Sequence, residues 1–268
     1  MNEFLKNIFQ WEGGPEITAF SIWHIMYLVL IVGGTILTAF ILKNKEISTK
    51  QKLLNILSVL VVSIYVADFF FMPLSRANED PTRQLIDPEK LPFHLCTFIG
   101  VMIPFAQFTK KENIVAKAFK EIVATLAIVA SVMYIFYPDS AIGDIGVFNY
   151  KVVQTFLFHG LVFAWGTLSL TTGAVTISFK SIWKPLLGIL AIMGWATLGN
   201  LAYVNELYCI SGNWCFLRVS FFPFIPDALM PLVFFACVFG VCALVYCIDL
   251  FVKKILARKK ESNVEIEK

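Results

Sequence analysis

The chain has 268 residues, of which 58% are hydrophobic and 15% charged, and its formal net charge is +3. Most of its apolar segments are long enough to cross a hydrocarbon core about 30 Å thick, which excludes a soluble fold and leaves no room for a separate soluble domain. No zinc-type Cys/His cluster, phosphate-binding glycine loop or nucleic-acid-binding motif is present, so we expect no metal, no cofactor and no nucleic-acid partner.

Seven apolar segments predict seven transmembrane helices, so the predicted fold class is an all-α polytopic membrane protein. In chain order the spans cover residues 20–42, 53–74, 91–108, 119–137, 152–175, 182–203 and 228–252, and together they form one transmembrane domain over residues 20–252. Residues 1–19 precede it as an outer-surface segment, interpreted either as a short helix on the membrane surface or as a frayed terminus. Residues 253–268 form a basic tail suited to anionic lipid.

The basic residues alternate between the two sides of this arrangement. Sixteen of the 22 Lys and Arg residues fall on the first, third and fifth loops, at the span ends that adjoin them, or on the C-terminal tail. Cytoplasmic loops carry the excess of Lys and Arg in membrane proteins. We therefore predict an outside N-terminus, a cytoplasmic C-terminus and an odd number of spans, as in a multi-pass protein of the cell membrane.

Polar side chains within the predicted spans share one depth, close to the outer ends of the helices. At a rise of about 1.5 Å per residue, this outer group comprises His24, Asp68, His94, Cys96, Gln154, His159, Asn200 and Asp227. Ionisable residues inside spans usually face the bundle interior or a water-filled cavity, so the group predicts a polar cavity at outer-leaflet depth. The inner halves of the same helices hold almost no ionisable residue. Each residue alone also has a structural interpretation, such as a helix N-cap for Asp227 or an interhelical hydrogen bond for Asn200.

Cys96 is the candidate nucleophile of this group. Pro92 suits the first turn of a helix, which places Cys96 near the positive end of the helix dipole and favours a thiolate. His94 is two residues away and would point to another side of the helix, so we expect the base to come from another span. His159 and His24 are the candidates, with Asp68 to orient whichever acts, and His94 is left to contact headgroups or to donate to an oxyanion.

Two further cysteines, Cys209 and Cys215, lie in the last outer loop. In an oxidising compartment they would form a small disulfide loop, and otherwise they would be two free thiols. The sequence leaves both alternatives open.

Three short motifs carry a resemblance to a known family: Leu91-Pro-Phe-His-Leu-Cys, Phe158-His-Gly and Gly199-Asn-Leu-Ala-Tyr. With them the chain resembles the YwaF-like bacterial membrane proteins, a group similar to the eukaryotic transmembrane protein 164 family of seven-span phospholipid acyltransferases. The resemblance implies that Cys96 accepts the acyl group and that His159 is its catalytic histidine. The family's asparagine–aromatic pattern in span six is looser here, because Leu201 and Ala202 separate Asn200 from Tyr203.

Two functional hypotheses follow. The first is an integral membrane lipid acyltransferase or lipid hydrolase that acts on membrane phospholipids through a Cys96 acyl-enzyme. The alternative is a small-solute transporter or solute-binding protein, with three spans on each side of a linking fourth span in a parallel repeat. Asp68 and Asp227 would then bind a proton or cation. The oligomeric state is not set by any feature of the sequence.

Overall fold

The computed structural model describes residues 14–76, 91–111, 113–136, 146–202, 204–205, 210–211, 213–220 and 224–266. Its framework is a set of helices that correspond in order to the seven predicted spans. They are α1 (Ile22–Leu42), α2 (Ile47–Arg76), α3 (Leu95–Phe108), α4 (Ile114–Phe136), α5 (Tyr150–Thr171), α6 (Trp183–Ala202) and α7 (Met230–Ile266). A two-residue antiparallel pairing of β1 (Val204–Asn205) with β2 (Ile210–Ser211) follows α6.

Six of these helices are long and apolar enough to cross a membrane, and α3 is the exception among the described residues. At 14 residues, α3 is about 21 Å long, whereas a hydrocarbon core is about 30 Å thick. The protein is therefore a helical membrane protein with six candidate spans and one short apolar helix. The count of seven spans and the orientation of the termini stay predictions.

The helices alternate in direction, so that α1, α3, α5 and α7 begin at one end of the bundle, which we call the upper end. Helices α2, α3, α4 and α5 form a ring in which each packs against the next, and α6 and α7 pack on the outside of α4. Helix α4 is consequently the most buried, with Val123 to Ser131 all inside. This central position differs from the linking role that the parallel-repeat hypothesis predicts for span four.

Helix α1 lies at the edge of the bundle and is interrupted by a π-helical turn, Val29–Gly33. The turn carries Ile31 onto α5 at Gly160, where a Cβ atom would lie 2.9 Å from the Ile31 side chain. At its upper end, Ile17 packs with Val147 and Phe156 in a small apolar cluster. The predicted N-terminal surface segment covers residues 1–19, and its residues 1–13 lie outside the described residues.

At the lower end, a buried polar cluster joins α4, α6 and α7. The Glu121 carboxylate accepts hydrogen bonds from Ser181 and from Tyr246 Oη, the latter at 2.9 Å, and pairs with Lys184 Nζ at 2.5 Å. Glu121 lies in α4, a helix that contributes no residue to the predicted outer group, so this cluster is separate from that group. Glu121 lies about 10 Å along α4 from Ile114, and its partners come from distant parts of the chain, so their contact was not visible in the sequence.

Candidate functional site

Helix α3 begins at Leu95, and the preceding residues 92 and 93 pack against α6 at the upper end. Trp195 of α6 donates from Nε1 to the Pro92 carbonyl oxygen at 2.9 Å. The Phe93 ring stacks on Trp195 with ring centroids 5.1 Å apart and lies against Gly199. The placement of Pro92 in the first turn of the helix was therefore wrong, because these contacts with α6 hold Pro92 and Phe93 outside it. His94, in extended conformation, is the N-cap residue.

A short loop segment, Trp214–Phe216, covers the start of α3, and we call it the roof. Asn200 of α6 holds it with both ends of its side-chain amide: Oδ1 accepts from Trp214 N at 2.9 Å, and Nδ2 donates to Trp214 O at 3.1 Å. Cys215 and Phe216 have φ values of +56° and +54°, a left-handed conformation that costs a non-glycine residue about 1–2 kcal/mol. Such strain persists only where surrounding contacts enforce it, and it often marks functional sites.

The buried Cys215 thiol joins the roof to the first turn of α3. Its Sγ donates to the Phe93 carbonyl oxygen at 3.3 Å and accepts a hydrogen bond from the Leu95 backbone. Burial raises the pKa of this thiol to about 12, although the Leu95 hydrogen bond acts in the opposite direction. The thiol is therefore neutral at physiological pH. Cys215 is a free thiol here, Cys209 lies outside the described residues, and the disulfide between them stays a prediction.

Cys96, the candidate nucleophile, lies in the first turn of α3, half-buried beneath the roof. It is within electrostatic reach of Cys215 and of the Tyr65 hydroxyl on α2. Asp68, one helical turn beyond Tyr65, is buried and hydrogen-bonds with the hydroxyl of Tyr150 at the start of α5. The upper ends of α2, α3 and α5 thus bring a thiol, a carboxylate and two phenols together.

The backbone partner of each of the three histidines sets the tautomer of its ring. His24 is fully buried, and its Nδ1 accepts from Phe20 N at 2.8 Å while Nε2 lies 2.8 Å from the Ile135 carbonyl oxygen. A carbonyl oxygen only accepts, so Nε2 carries the proton and Nδ1 has its lone pair engaged. His24 therefore ties α1 to the end of α4, and it has no lone pair left with which to act as a base.

His94 and His159 differ in the nitrogen that each presents. His94 Nδ1 accepts a long hydrogen bond, 3.4 Å, from Cys215 N, which puts the proton of the neutral ring on Nε2. His159 shows the reverse, because its Nδ1 lies 2.8 Å from the Thr155 carbonyl oxygen and must donate. The lone pair of His159 is therefore on Nε2, the arrangement that a general base needs.

The His159 side chain points toward α4, whereas the predicted pairing with Cys96 would direct it toward α3. Its ring stacks on Tyr134 of α4 at a centroid distance of 4.0 Å. The adjacent Phe158 is the residue that reaches α3, where a Cβ atom on Gly100 would lie 2.7 Å from its ring. Residues one apart point about 100° apart on a helix, so His159 faces α4 while Phe158 faces α2 and α3. The proximity of Cys96 and His159 stays a prediction.

Gln154 lies on the same face of α5 as Tyr150 and Phe158, because the three are spaced by four residues. It is half-buried, and its Oε1 accepts from Thr155 Oγ1 at 3.5 Å. It therefore belongs to the Cys96 side of the bundle. Asp227 does not, since it is exposed and its Oδ1 accepts from Ser220 N at 2.6 Å in the loop before α7.

Sequence reasoning missed the aromatic and loop residues of this site. They are Tyr65, Phe93, Tyr134, Tyr150, Trp214 and Phe216. Tyr65 is three residues from Asp68 and hence on the same helical face, so the spacing alone would have identified it. The roof carried no comparable signal, because its position depends on Asn200.

A search of curated proteins gave no match to the chain, and a search of solved structures gave none. The model of the TMEM164 family matches residues 19–251, a range that runs from the start of α1 to the lower part of α7. With its apolar helices and this match over most of its length, the chain is a membrane protein that belongs to the TMEM164 family.

Proposed function

We propose that this protein is an acyl-transfer enzyme of the cell membrane, with Cys96 as the residue that carries the acyl group from a phospholipid. The observation that supports this most directly is the setting of Cys96 in the first turn of α3, beneath the roof and beside Tyr65 and Cys215. Backbone N–H groups in the first turn of a helix point beyond its N-terminus. They favour the thiolate and an oxyanion formed next to it.

The reaction has two steps. The Cys96 thiol gives its proton to a base, and the thiolate attacks the carbonyl carbon of a lipid ester, so that a C–S bond forms as the C–O bond breaks. The leaving alkoxide takes the proton and departs as a lysolipid. A hydroxyl of a second lysolipid, or water, then gives its proton to the base and attacks the thioester carbonyl carbon, so that a C–O bond forms as the C–S bond breaks, and the Cys96 thiolate regains the proton from the base. Whether lysolipid or water is the acceptor decides between acyltransferase and hydrolase.

His159 is the proposed base, because its tautomer places the lone pair on Nε2. His24 is unsuited to this role, since both of its ring nitrogens are engaged by backbone groups. His94, with its proton on Nε2, fits a hydrogen-bond donor to an oxyanion better than a base. Phe158 faces α3 while the His159 ring faces α4. Direct proton transfer therefore requires that Phe158 moves aside and that the His159 ring turns toward Cys96 when lipid binds.

The first test is intact-protein mass spectrometry after incubation of the detergent-purified protein with phospholipid. We expect a fatty-acyl adduct in the wild type that hydroxylamine removes, and none in Cys96→Ala. Cys237→Ala is the matched control, because Cys237 is exposed on the lipid-facing side of α7 and its loss should leave the adduct unchanged. An adduct that persists in Cys96→Ala, or a wild type that neither forms an adduct nor releases fatty acid, would reject the proposal.

The second test examines the base through pH. Loss of a general base typically lowers a rate by about 10²–10⁴-fold, so His159→Gln should form the adduct far more slowly at pH 7. A cysteine thiol ionises by itself near pH 8.5, and raising the pH to about 9.5 should restore much of the rate in this variant. A His159→Gln variant with the wild-type rate at pH 7 would remove His159 from the mechanism while leaving Cys96 in place.

A further inference from the structure

A groove opens on the membrane-facing side of the upper end, between α6, α7 and the loop that follows the roof. Its volume is about 420 Å³, within the range of about 300–1,000 Å³ that is usual for small-molecule sites. Six of its lining residues are Met193, Thr197 and Leu201 of α6, Leu217 and Arg218 of the loop, and Pro231 of α7. The groove therefore combines apolar walls with one cation.

Among the described residues that line the groove, Arg218 is the only charged one. Its backbone is fixed by Asn213, whose Oδ1 accepts from Arg218 N and Val219 N, both at 3.0 Å. No residue in the described part of the chain forms an ion pair with the Arg218 guanidinium, which is exposed to solvent. A guanidinium on a fixed backbone, with no carboxylate of the described residues paired to it, is suited to a phosphate, whose oxygens it binds in a bidentate manner.

The walls below Arg218 continue down a membrane-facing helix. Leu201 is 73% exposed, and Thr197 one turn lower is exposed as well, while the Thr197 hydroxyl donates to Met193 O within its own helix. With that hydroxyl engaged, the wall offers an apolar strip to its ligand. A cation above an apolar strip matches an amphiphile with an anionic head and a hydrocarbon tail, and the surrounding bilayer supplies such molecules.

We propose that this groove binds one glycerophospholipid, with its phosphate on Arg218 and one acyl chain along α6. The groove also adjoins the candidate site. Asn200 lines it and holds Trp214 of the roof, and Cys215 of the same roof lies within electrostatic reach of Cys96. Binding at the groove is independent of catalysis, whereas its role as the place where the substrate ester approaches Cys96 rests on the proposed function.

The experiment uses photo-crosslinking in the full-length protein, purified in mild detergent. The probe is a phosphatidylcholine that carries a diazirine in one acyl chain, and the control probe is a diacylglycerol with the same labelled chain and no phosphate. Labelled peptides are mapped by mass spectrometry, and only labelling that excess unlabelled phospholipid displaces is counted. We expect displaceable labelling of the α6 peptide with the phospholipid probe, and about five- to tenfold less with the diacylglycerol probe.

Substitutions separate the two parts of the groove. Arg218→Gln should lower the displaceable labelling about five- to tenfold and Arg218→Lys should lower it less, whereas Lys151→Gln, which removes another cation at the upper end, should not change it. Thr197→Trp fills the groove and should abolish the labelling, while Leu198→Trp is the matched control on a neighbouring exposed face of α6. Equal labelling by both probes, or labelling that survives Arg218→Gln or Thr197→Trp, would overturn the proposal.

Cys96→Ala distinguishes this proposal from the proposed function. The variant should keep the displaceable labelling of the groove, because Cys96 is not among its lining residues. Groove labelling in a protein that forms no Cys96 adduct would support the lipid site and reject the acyl-enzyme. A Cys96 adduct that forms equally well in Thr197→Trp would overturn the groove as the route of the substrate.

Discussion

Replacement of Asn200 by alanine tests how the roof is held over Cys96. The Asn200 side chain is 3% exposed and makes two hydrogen bonds to the Trp214 backbone, at 2.9 and 3.1 Å. The alanine variant leaves a buried N–H and a buried C=O without these partners, and each such group costs about 1–3 kcal/mol. We therefore expect Asn200→Ala to lower the free energy of unfolding by roughly 2–6 kcal/mol, or to release the roof locally at a similar cost.

Alkylation of Cys215 reports that release. With a pKa of about 12, about one ten-thousandth of this thiol is ionised at pH 8, and the side chain is 1% exposed. If the roof opens and the pKa returns toward its usual value near 9, the thiolate fraction rises about a thousandfold. Peptide mass spectrometry after iodoacetamide treatment at pH 8 should thus find Cys215 protected in the wild type and modified in Asn200→Ala.

Thr197→Ala provides the control for both readouts. Thr197 is on the same helix, but it is exposed and loses only a hydrogen bond to Met193 O within α6, so its stability should stay within about 0.5 kcal/mol of the wild type. If Asn200→Ala melts at the same temperature as Thr197→Ala and Cys215 remains protected, then Asn200 does not hold the roof and the reasoning fails.

Three further predictions follow from packing, charge and topology. Gly199→Ala should destabilise the protein by several kcal/mol, since the new Cβ atom would lie 2.5 Å from the Phe93 ring. Gly194→Ala, whose Cβ atom would meet nothing within 4 Å, should stabilise the protein by up to about 1 kcal/mol. Thermal unfolding in detergent compares the two variants. Glu121→Gln should lower the free energy of unfolding by about 3–5 kcal/mol, because Lys184 loses its charged partner. The double variant Glu121→Gln/Lys184→Met should recover part of this loss, whereas a double variant that loses the sum of the two single effects would contradict the ion pair. Reporter fusions at the two termini should fall on opposite sides of the membrane, while the same side would reject seven spans.

Most of the helical framework was predictable from the sequence, because long apolar segments in a bilayer must satisfy their backbone groups internally and therefore form helices. All seven predicted segments correspond to helices. The exceptions arise where tertiary contacts override composition. The composition of residues 91–94 is compatible with the start of a helix. Contacts with Trp195 and Gly199 of α6 nevertheless keep Pro92 and Phe93 outside α3.

The candidate site was predictable only as a set of polar residues at one depth. Depth follows from position along a helix, but the direction of a side chain depends on which neighbours its helix meets. The sequence therefore grouped His24 with Asp68, although His24 bonds with backbone groups of Phe20, just before α1, and of Ile135 in α4. Asp68 instead bonds with Tyr150 of α5. The tautomers of the histidines could not be predicted at all, since they depend on backbone atoms far away in the chain.

The shortness of α3 has a consequence for the substrate. Lys110 and Lys111 follow its lower end, and such residues lie at the membrane boundary. With that end at the boundary, a helix of about 21 Å begins about 9 Å below the upper boundary of a core about 30 Å thick. The roof contacts the residue three positions before Cys96, through Cys215 Sγ on the Phe93 carbonyl oxygen and through the Trp214 and Phe93 rings. A lipid ester in the upper leaflet lies within the same core, so this depth supports the proposal of a membrane substrate.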